Sequence, residues 1–172
     1  MGSFAGLEVE TDHILQIACI ITDGKLKKII EGEEIVVHHP DEVLDNMGAW
    51  CVKTHGKSGL TAAVRESKVT LGEAEARTLE FIQKYVPEPG RAPIAGNSIH
   101  MDVAFLKRYM PRITEYAHYR VIDVSTISEL CRRWYPRDHY KAPRKQNAHT
   151  ALSDIRESIN QLLYYKRSIF KN

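Results

Sequence analysis

Three side chains with the chemistry of a metal-assisted hydrolase stand in two short motifs. Asp102 ends the stretch GNSIHMD, and His149 and Asp154 begin and end the stretch HTALSD. Carboxylate oxygens are the ligands that a hard cation such as Mg²⁺ prefers. A histidine beside such a cation can take the proton from a metal-bound water. The three residue types together predict hydrolysis at a divalent metal centre.

Spacing constrains how His149 and Asp154 could cooperate. Five residues at about 100° each would place them about 140° apart on one helix, so they would not share a face. A histidine in the loop before the helix could instead reach over a metal held by Asp154. Taken singly, each residue also has a simpler interpretation. Asp102 could be a first-turn helix acid, Asp154 an exposed helical acid, and His149 one of eight histidines in the chain.

The elements that must position these residues begin with strands. The apolar, β-branched run at 14–21 predicts a buried strand. A turn at 22–24 follows, with Gly24 expected to take a positive φ. Two further strands are predicted at 26–30 and 34–38, separated by a bend or bulge at Glu31 and Gly32. The chain therefore opens with an antiparallel meander.

Helices and two more strands account for the rest of the chain. Thr70 followed by Glu73 has the pattern of a capping box, which predicts a helix over 71–85. Further helices are predicted at 40–47, 50–55, 101–109, 125–134 and 150–169, with Ser125 as the cap of the fourth. Strands are predicted at 92–96 and 121–124, and a loop at 135–148. This order predicts an α/β fold with a mixed sheet flanked by helices, built as a single domain over 1–172.

Composition sets limits on partners and compartment. The 172 residues carry a net charge of +2, which permits a short nucleic-acid ligand and gives no argument for binding duplex DNA. Cys19, Cys51 and Cys131 are too scattered for a zinc site or a disulfide framework, which favours idle thiols in a reducing compartment. No membrane span and no targeting segment are predicted.

The two motifs resemble those of a known family. GNSxxxD followed by HxxxxD resembles the second and third motifs of the DEDDh-type 3′–5′ exonucleases, and the chain resembles the oligoribonucleases, the eukaryotic ones especially. The resemblance runs from about Gly6 to Asn172 and is carried by separate blocks. They are WC at 50–51, HGKSGLT at 55–61, AGNS at 95–98, HYRVIDVST at 118–126, ELCRRWYP at 129–136 and ALSDIRESI at 151–159.

The resemblance implies a fold, an activity and a metal centre. It implies a ribonuclease H-like mixed sheet flanked by helices, and hydrolysis of dinucleotides and other very short RNAs from the 3′ end to 5′-mononucleotides. Two metal ions, Mg²⁺ or Mn²⁺, are expected. By the same resemblance, Asp154 would hold the first metal, Asp102 the second, and His149 would be the general base.

The resemblance also assigns residues to the substrate. Trp50 would stack on a base, and Leu7 would insert between the two bases of a dinucleotide. A cap for the 5′ phosphate is expected from His55, Ser98, Tyr119 and Arg120. In the family the tyrosine comes from the partner subunit, so the site implies a homodimer. Eukaryotic relatives act in mitochondria and the cytosol, which implies one or both of these compartments. Without the resemblance, Trp50 could be a core residue, Tyr119 and Arg120 strand-flanking polar residues, and Ser98 a turn hydroxyl.

The first motif of the family has no counterpart at the expected place in this sequence. That motif is Asp-x-Glu, and anchoring on Gly6 and Leu7 places Met1 and Ser3 at its two acidic positions. Glu8 and Glu10 could replace them only by deleting the connecting loop. With Asp102 and Asp154 as its only carboxylates, the metal centre would carry a charge of about −2 instead of about −4. Two cations about 4 Å apart would then repel each other strongly.

This departure predicts an N-terminally shortened domain in which the first central strand is largely truncated. At least one metal would be weakened and the rate would collapse. The alternative function is a catalytically impaired or inactive form that keeps the dimer and binds short RNA. A structural protein without metal is a further alternative.

Overall fold

Two groups of strands form the centre of the fold. The computed structural model describes residues 2–143 and 150–170. Strands β1 (Gly2–Phe4), β2 (Ile14–Thr22) and β3 (Ile29–Val36) form an antiparallel sheet in the order β1-β2-β3. Strands β4 (Pro93–Gly96) and β5 (His118–Asp123) form a parallel pair. The predicted α/β fold with a mixed set of strands and flanking helices is confirmed.

Helices surround these strands. They are α1 (Asp41–Asp45), α2 (Ala49–Ser58), α3 (Leu60–Glu66), α4 (Leu71–Tyr85), α5 (Ile99–Tyr109), α6 (Pro111–Tyr116), α7 (Val124–Trp134), α8 (Pro136–Lys141) and α9 (Ala151–Ser168). Helix α4 begins at the predicted capping box, in which Thr70 and Glu73 satisfy each other's backbone amides. Within the two described ranges, no helix has both the length and the apolar character needed to cross a bilayer.

The two strands predicted at 26–30 and 34–38 are one strand. Strand β3 runs through Gly32, and the predicted bulge lies inside it. Ala18 pairs with Glu34 while Ile20 pairs with Glu31, so β3 has one residue more than β2 at this point. A Cβ on Gly32 would stand 2.9 Å from the Cys19 carbonyl oxygen. The glycine therefore permits a close approach within the sheet and does not interrupt it.

The turn between β2 and β3 differs from its prediction. The positive φ belongs to Leu26, at 57°, and not to Gly24. The Asp23 carboxylate accepts the backbone amides of Lys27 and Lys28 at 2.6 and 3.0 Å. These bonds enlarge the turn to 23–28 and move its left-handed residue to position 26.

Short helices were missing from the sequence-based prediction. Helix α3 follows Gly59, whose φ of 79° ends α2. Helices α6 and α8 begin with a proline in their first turn, and α8 lies where a loop was predicted. Six or seven residues are too few for a periodic apolar pattern, so packing and caps decide these elements. The buried Glu75 of α4, for example, accepts the Arg112 amide of α6 at 2.8 Å.

The cap of α7 is also one position from its prediction. Asp123, the last residue of β5, is the N-cap, and its carboxylate accepts the amide of Ser125. An aspartate carboxylate before a helix binds the free amides of the first turn at least as well as a serine hydroxyl.

The main core lies between β2, β3 and the helices α4, α5 and α6. Its buried members are Ile14, Ile17, Ile35, Val37, Ala74, Leu79, Phe105, Leu106, Met110 and Ile113. Phe4 joins β1 to this core because its ring stacks on that of Phe105, with 4.1 Å between centroids and 17° between planes. A fully buried aromatic residue therefore fastens the first strand to α5.

Replacement of Phe105 by alanine tests how much the fold depends on this stack. We expect the free energy of unfolding to fall by about 3–5 kcal/mol, the usual cost of truncating a buried phenylalanine. Urea denaturation followed by circular dichroism measures it. The matched control is Phe170→Ala, because Phe170 is 53% exposed and its loss should cost less than about 0.5 kcal/mol. Equal costs for the two variants would contradict this account of the core.

Candidate functional site

Asp102 lies in the first turn of α5 and is only 5% exposed. Its Oδ1 accepts a hydrogen bond from the Gly2 amide at 2.9 Å. A buried carboxylate needs such donors to offset the loss of water. The contact places Asp102 directly beside β1, although 100 residues separate the two in sequence.

Asp154 lies in the first turn of α9, and the sheet holds this end of the helix. Thr150 is the N-cap and accepts the amide of Ser153. The Gln16 side-chain oxygen of β2 accepts the Ala151 amide at 3.2 Å. Glu34 of β3 accepts the Leu152 amide at 2.9 Å. Side chains therefore satisfy the first three amides of α9, which are the ones that a helix leaves unpaired.

A salt bridge fixes the next turn of α9. Arg156 binds Glu31 of β3 through two hydrogen bonds of 2.7 and 2.5 Å. The hydrogen bond from Arg156 lowers the pKa of Glu31. Both groups are exposed, so the pair contributes orientation more than stability. Together with the caps, it sets where Asp154 stands relative to the sheet.

Gln16 links the strand beside Asp102 to the helix that carries Asp154. It is 6% exposed, and its side-chain oxygen also accepts the hydroxyl of Ser3 at 3.3 Å. Ser3 is the neighbour of Gly2, which donates to Asp102. A single buried amide thus joins β1 on the Asp102 side to the helix that carries Asp154.

The end of β1 is also tied to α2. His55 is 6% exposed, and its Nε2 lies 3.0 Å from the Phe4 carbonyl oxygen, which requires the tautomer with hydrogen on Nε2. The ring of Trp50 meets His55 edge-on, with centroids 6.5 Å apart. Trp50 itself is 66% exposed, so the alternative interpretation of Trp50 as a core residue is wrong, and an exposed indole lies beside the end of β1.

The loop after β1 presents Leu7 to solvent. Leu7 is 70% exposed. The Asp12 carboxylate accepts the Glu8 amide at 2.8 Å and packs so closely on Gly6 that a Cβ there would lie 2.2 Å from an oxygen. Only glycine fits at position 6 without displacing Asp12. The contacts of Asp12 therefore fix the loop, while the Leu7 side chain stays exposed.

Of the residues predicted for the phosphate cap, Ser98 lies at the carboxyl ends of β4 and β5, whereas Tyr119 and Arg120 lie at the opposite end of β5. Ser98 caps α5 with a left-handed backbone, at φ 49° and ψ 38°. Its amide donates to Asp123 Oδ1 at 3.0 Å and to Ser125 Oγ at 2.9 Å. His100 Nδ1 lies 3.6 Å from the other oxygen of Asp123. Two helices thus begin side by side, at the edge where a parallel pair of strands ends.

Tyr119 and Arg120 form an exposed pair on β5. Tyr119 is 79% exposed, and its ring stacks on His118 at 4.5 Å. The Arg120 guanidinium carbon lies 4.9 Å from the centre of the Tyr119 ring. An exposed aromatic ring and a guanidinium are suited to binding a phosphate or a base.

Metal binding is the expectation that these contacts support least. Among the residues that the structure describes, no group of three or more His, Cys, Asp or Glu side chains is placed to hold a metal ion. His149 lies outside the described residues. The part of β1 next to Asp102 contributes Gly2 and Ser3, and neither has a carboxylate. The roles of Asp102, His149 and Asp154 therefore stay predictions.

The cysteines take no part in this chemistry. All three are free, and Cys51 and Cys131 are buried. Burial raises the pKa of the Cys51 thiol, and the nearby Asp12 carboxylate raises it further. A raised pKa disfavours the thiolate, which is the reactive form of cysteine.

Sequence reasoning missed two residues of this region, Gln16 and Asp123. A polar glutamine inside the apolar run at 14–21 was the available signal for Gln16, because a buried amide needs partners. Asp123 two residues before Ser125 has the pattern of a helix cap, which was assigned to the serine instead. Each residue also accepts an amide from a distant element, Gln16 that of Ala151 across 135 residues and Asp123 that of Ser98 across 25 residues.

Comparison with known proteins identifies relatives of this chain. The sequence profile of a family described as exonuclease, RNase T, matches residues 4–162. A mouse protein named mitochondrial oligoribonuclease is 52% identical over 166 residues, which are 96% of this chain and 70% of that protein. The oligoribonuclease of the bacterium Marinobacter nauticus is 49% identical, with 96% and 91% covered. That of Arabidopsis thaliana is 48% identical, with 96% and 74% covered.

Proposed function

The chain belongs to the RNase T exonuclease family, among its oligoribonucleases, and we propose that it degrades very short RNA from the 3′ end to 5′-mononucleotides. The observation that carries this proposal is identity near 50% over almost the whole chain to oligoribonucleases of animals, plants and bacteria. Similarity of that extent makes the chain a hydrolase of the 3′–5′ exoribonuclease class. Dinucleotides are the proposed preferred substrates.

The form of the site supports a short substrate. Trp50 and Leu7 are both exposed, and both are anchored at the end of β1, by the His55 contact and by the tight loop. An aromatic face and an apolar tip can hold two bases by stacking without reading their sequence. Ser98, beyond the end of β4, and Tyr119 and Arg120, at the start of β5, are proposed to supply hydroxyl and guanidinium groups for a 5′ phosphate. His55 is proposed to complete this cap.

Exonucleases of this family generally use divalent metal ions, and Mg²⁺ or Mn²⁺ is proposed here. Asp102 and Asp154 are the proposed ligands, and His149 the proposed base. The described residues fit a two-metal centre incompletely, since Gly2 and Ser3 stand beside Asp102 where further carboxylates would be needed. We propose that the described side chains bind and orient the RNA, with Asp102 and Asp154 near its 3′ end.

A second candidate function follows from the contact between Gly2 and Asp102. An amide hydrogen bond occupies Oδ1 of the aspartate that the proposal assigns to metal. A chain with this arrangement would bind short RNA while cleaving it slowly or not at all. It would then act as a catalytically impaired member that keeps the nucleotide site.

A homodimer is proposed as the working assembly. In the part of the chain that the structure describes, β5 pairs with β4 on one side only. Its Tyr119, Val121 and Ile122 are 79%, 44% and 41% exposed. An exposed apolar edge strand favours association with another chain, and the partner subunit would then supply its own tyrosine to the cap.

Domain organisation and location are proposed from the same relatives. The family profile covers residues 4–162, which favours a single exonuclease domain over 1–172. Relatives from mouse, human and cattle carry the word mitochondrial in their names. We therefore propose a mitochondrial location, with the cytosol as the alternative.

Incubation of the pure chain with diadenylate and Mg²⁺ or Mn²⁺ tests the exonuclease proposal. We expect release of 5′-AMP, measured by chromatography. Asp102→Asn should lower the rate by about two orders of magnitude, the effect of removing one electrostatic stabiliser. The control Asp45→Asn removes an exposed carboxylate of α1 and should leave the rate unchanged. No turnover by folded chain that still binds diadenylate would reject the first candidate and support the second.

Base stacking on Trp50 can be measured without turnover. Trp50→Ala should weaken diadenylate binding at least about fivefold, because stacking on an aromatic side chain is worth about 1–3 kcal/mol per base. Calorimetric titration in the absence of metal measures this affinity. Trp134→Ala is a matched control, since Trp134 is also 66% exposed and lies at the end of α7. An equal loss in both variants would show that Trp50 has no specific part in binding.

Light scattering coupled to size-exclusion chromatography tests the dimer. The wild-type chain should run at about twice its mass of 19.6 kDa. Val121→Glu would bury an unpaired charge at the edge of β5 and should give monomers. Val52→Glu, at a valine of similar exposure on α2, should leave the dimer intact. A monomeric wild-type chain, or a dimeric Val121→Glu variant, would contradict the proposed interface.

A further inference from the structure

Ser98 has a backbone conformation that its residue type disfavours. At φ 49° and ψ 38° it lies in the left-handed region, which suits glycine and penalises a side chain. Such a conformation persists only where surrounding contacts hold it. Residues with this kind of strain concentrate at ligand sites, which makes the contacts around Ser98 informative.

Asp123 supplies the principal contact. Its Oδ1 accepts the Ser98 amide at 3.0 Å and the Ser125 amide at 2.9 Å, so one carboxylate oxygen serves two backbone donors. The hydroxyl of Ser125 accepts the Ser98 amide as well, at 2.9 Å, and lies 3.4 Å from the Ser98 hydroxyl. The Asp123 side chain is 19% exposed, which leaves it little freedom to move.

The pairing of β4 with β5 brings Asp123 close to Ser98. Gly96 and Asp123 are partners in the parallel ladder of β4 and β5, two residues before Ser98. The strands end together, and helices α5 and α7, each of 11 residues, start together. Their N-terminal ends favour an anion in front of them, and Ser98 is exposed there. Asp123 can stand near an anion because backbone amides already take up its charge.

We infer that Asp123 is a positioning residue for recognition of the substrate's 5′ phosphate, acting by holding Ser98 in its left-handed conformation. The inference rests on the proposed function, which makes Ser98 part of the phosphate cap. Asp123 does not touch the substrate in this account. It turns the Ser98 hydroxyl toward the phosphate and keeps the amide of Ser98 from bonding elsewhere. Loss of Asp123 should therefore affect only ligands that carry the 5′ phosphate.

Calorimetric titration of the full chain with two probes tests this inference without requiring catalysis. The probes are 5′-phosphorylated diadenylate and diadenylate with a free 5′ hydroxyl, both in metal-free buffer. The wild-type chain should bind the phosphorylated probe at least about tenfold more tightly. Asp123→Ala should lose most of this preference, with Kd for the hydroxyl probe changed less than about twofold. A merely structural role would weaken both probes equally.

Two further variants separate positioning from general damage. Asp123→Asn keeps an acceptor oxygen for both amides and should retain the phosphate preference. Ser125→Ala removes the second acceptor of the Ser98 amide and should reduce the preference by about threefold. An unchanged preference in folded Asp123→Ala overturns the inference. If Asp123→Ala does not fold, Ser125→Ala decides alone, and an unchanged preference in that variant overturns the inference.

The same titrations separate this inference from the function on which it rests. A wild-type chain that binds both probes equally rejects the phosphate cap itself, and the role of Asp123 with it. A wild-type preference that survives in folded Asp123→Ala rejects the role of Asp123 alone.

Discussion

The attachment of the first strand at Phe4 is the constraint on which the candidate site depends. The Phe4 ring stacks on Phe105 of α5, and its carbonyl lies 3.0 Å from Nε2 of His55 of α2. Both contacts hold the same residue, so the helices that carry Asp102 and Trp50 are fixed to one point. A displacement of Phe4 would be passed on to both helices, because close-packed protein interiors have few voids to absorb it. The Gly2 amide then meets Asp102 as a consequence of this attachment.

Polar contacts between distant elements set the remaining geometry. Gln16 and Glu34 bind the first amides of α9, across 135 and 118 residues of sequence. Asp123 does the same for Ser98 at the start of α5. In each case a side chain from a strand completes the hydrogen bonds that a helix leaves open at its beginning. A helix held in this way has a defined rotation as well as a position, and the side chain of the proposed site in its first turn is thereby oriented.

Local signals in the sequence were sufficient for much of the fold. The apolar run of β2 and the capping box of Thr70 and Glu73 predicted their elements because each depends on neighbouring residues. The positive φ of Leu26 was not predictable, since the hydrogen bonds of the Asp23 side chain in the turn follow no periodic pattern. The short helix α6 was not predictable, since its contact with Glu75 joins residues far apart in sequence. For the site, residue types predicted metal-binding roles for Asp102 and Asp154, and these roles stay predictions. The strand residues that lie beside these two aspartates depend on the register between β1 and β2, which the sequence does not show. Gln16 was therefore missed.

A crystal structure of the chain with 5′-phosphorylated diadenylate would test the central claim most directly, which is that one short-RNA site is assembled around the end of β1. We expect one base stacked on Trp50, Leu7 between the two bases, and the 5′ phosphate against Ser98. Asp102 would then face the 3′ side of the dinucleotide. A dinucleotide bound elsewhere, for example on the exposed aromatic rings of Trp134 and Tyr140, would contradict it.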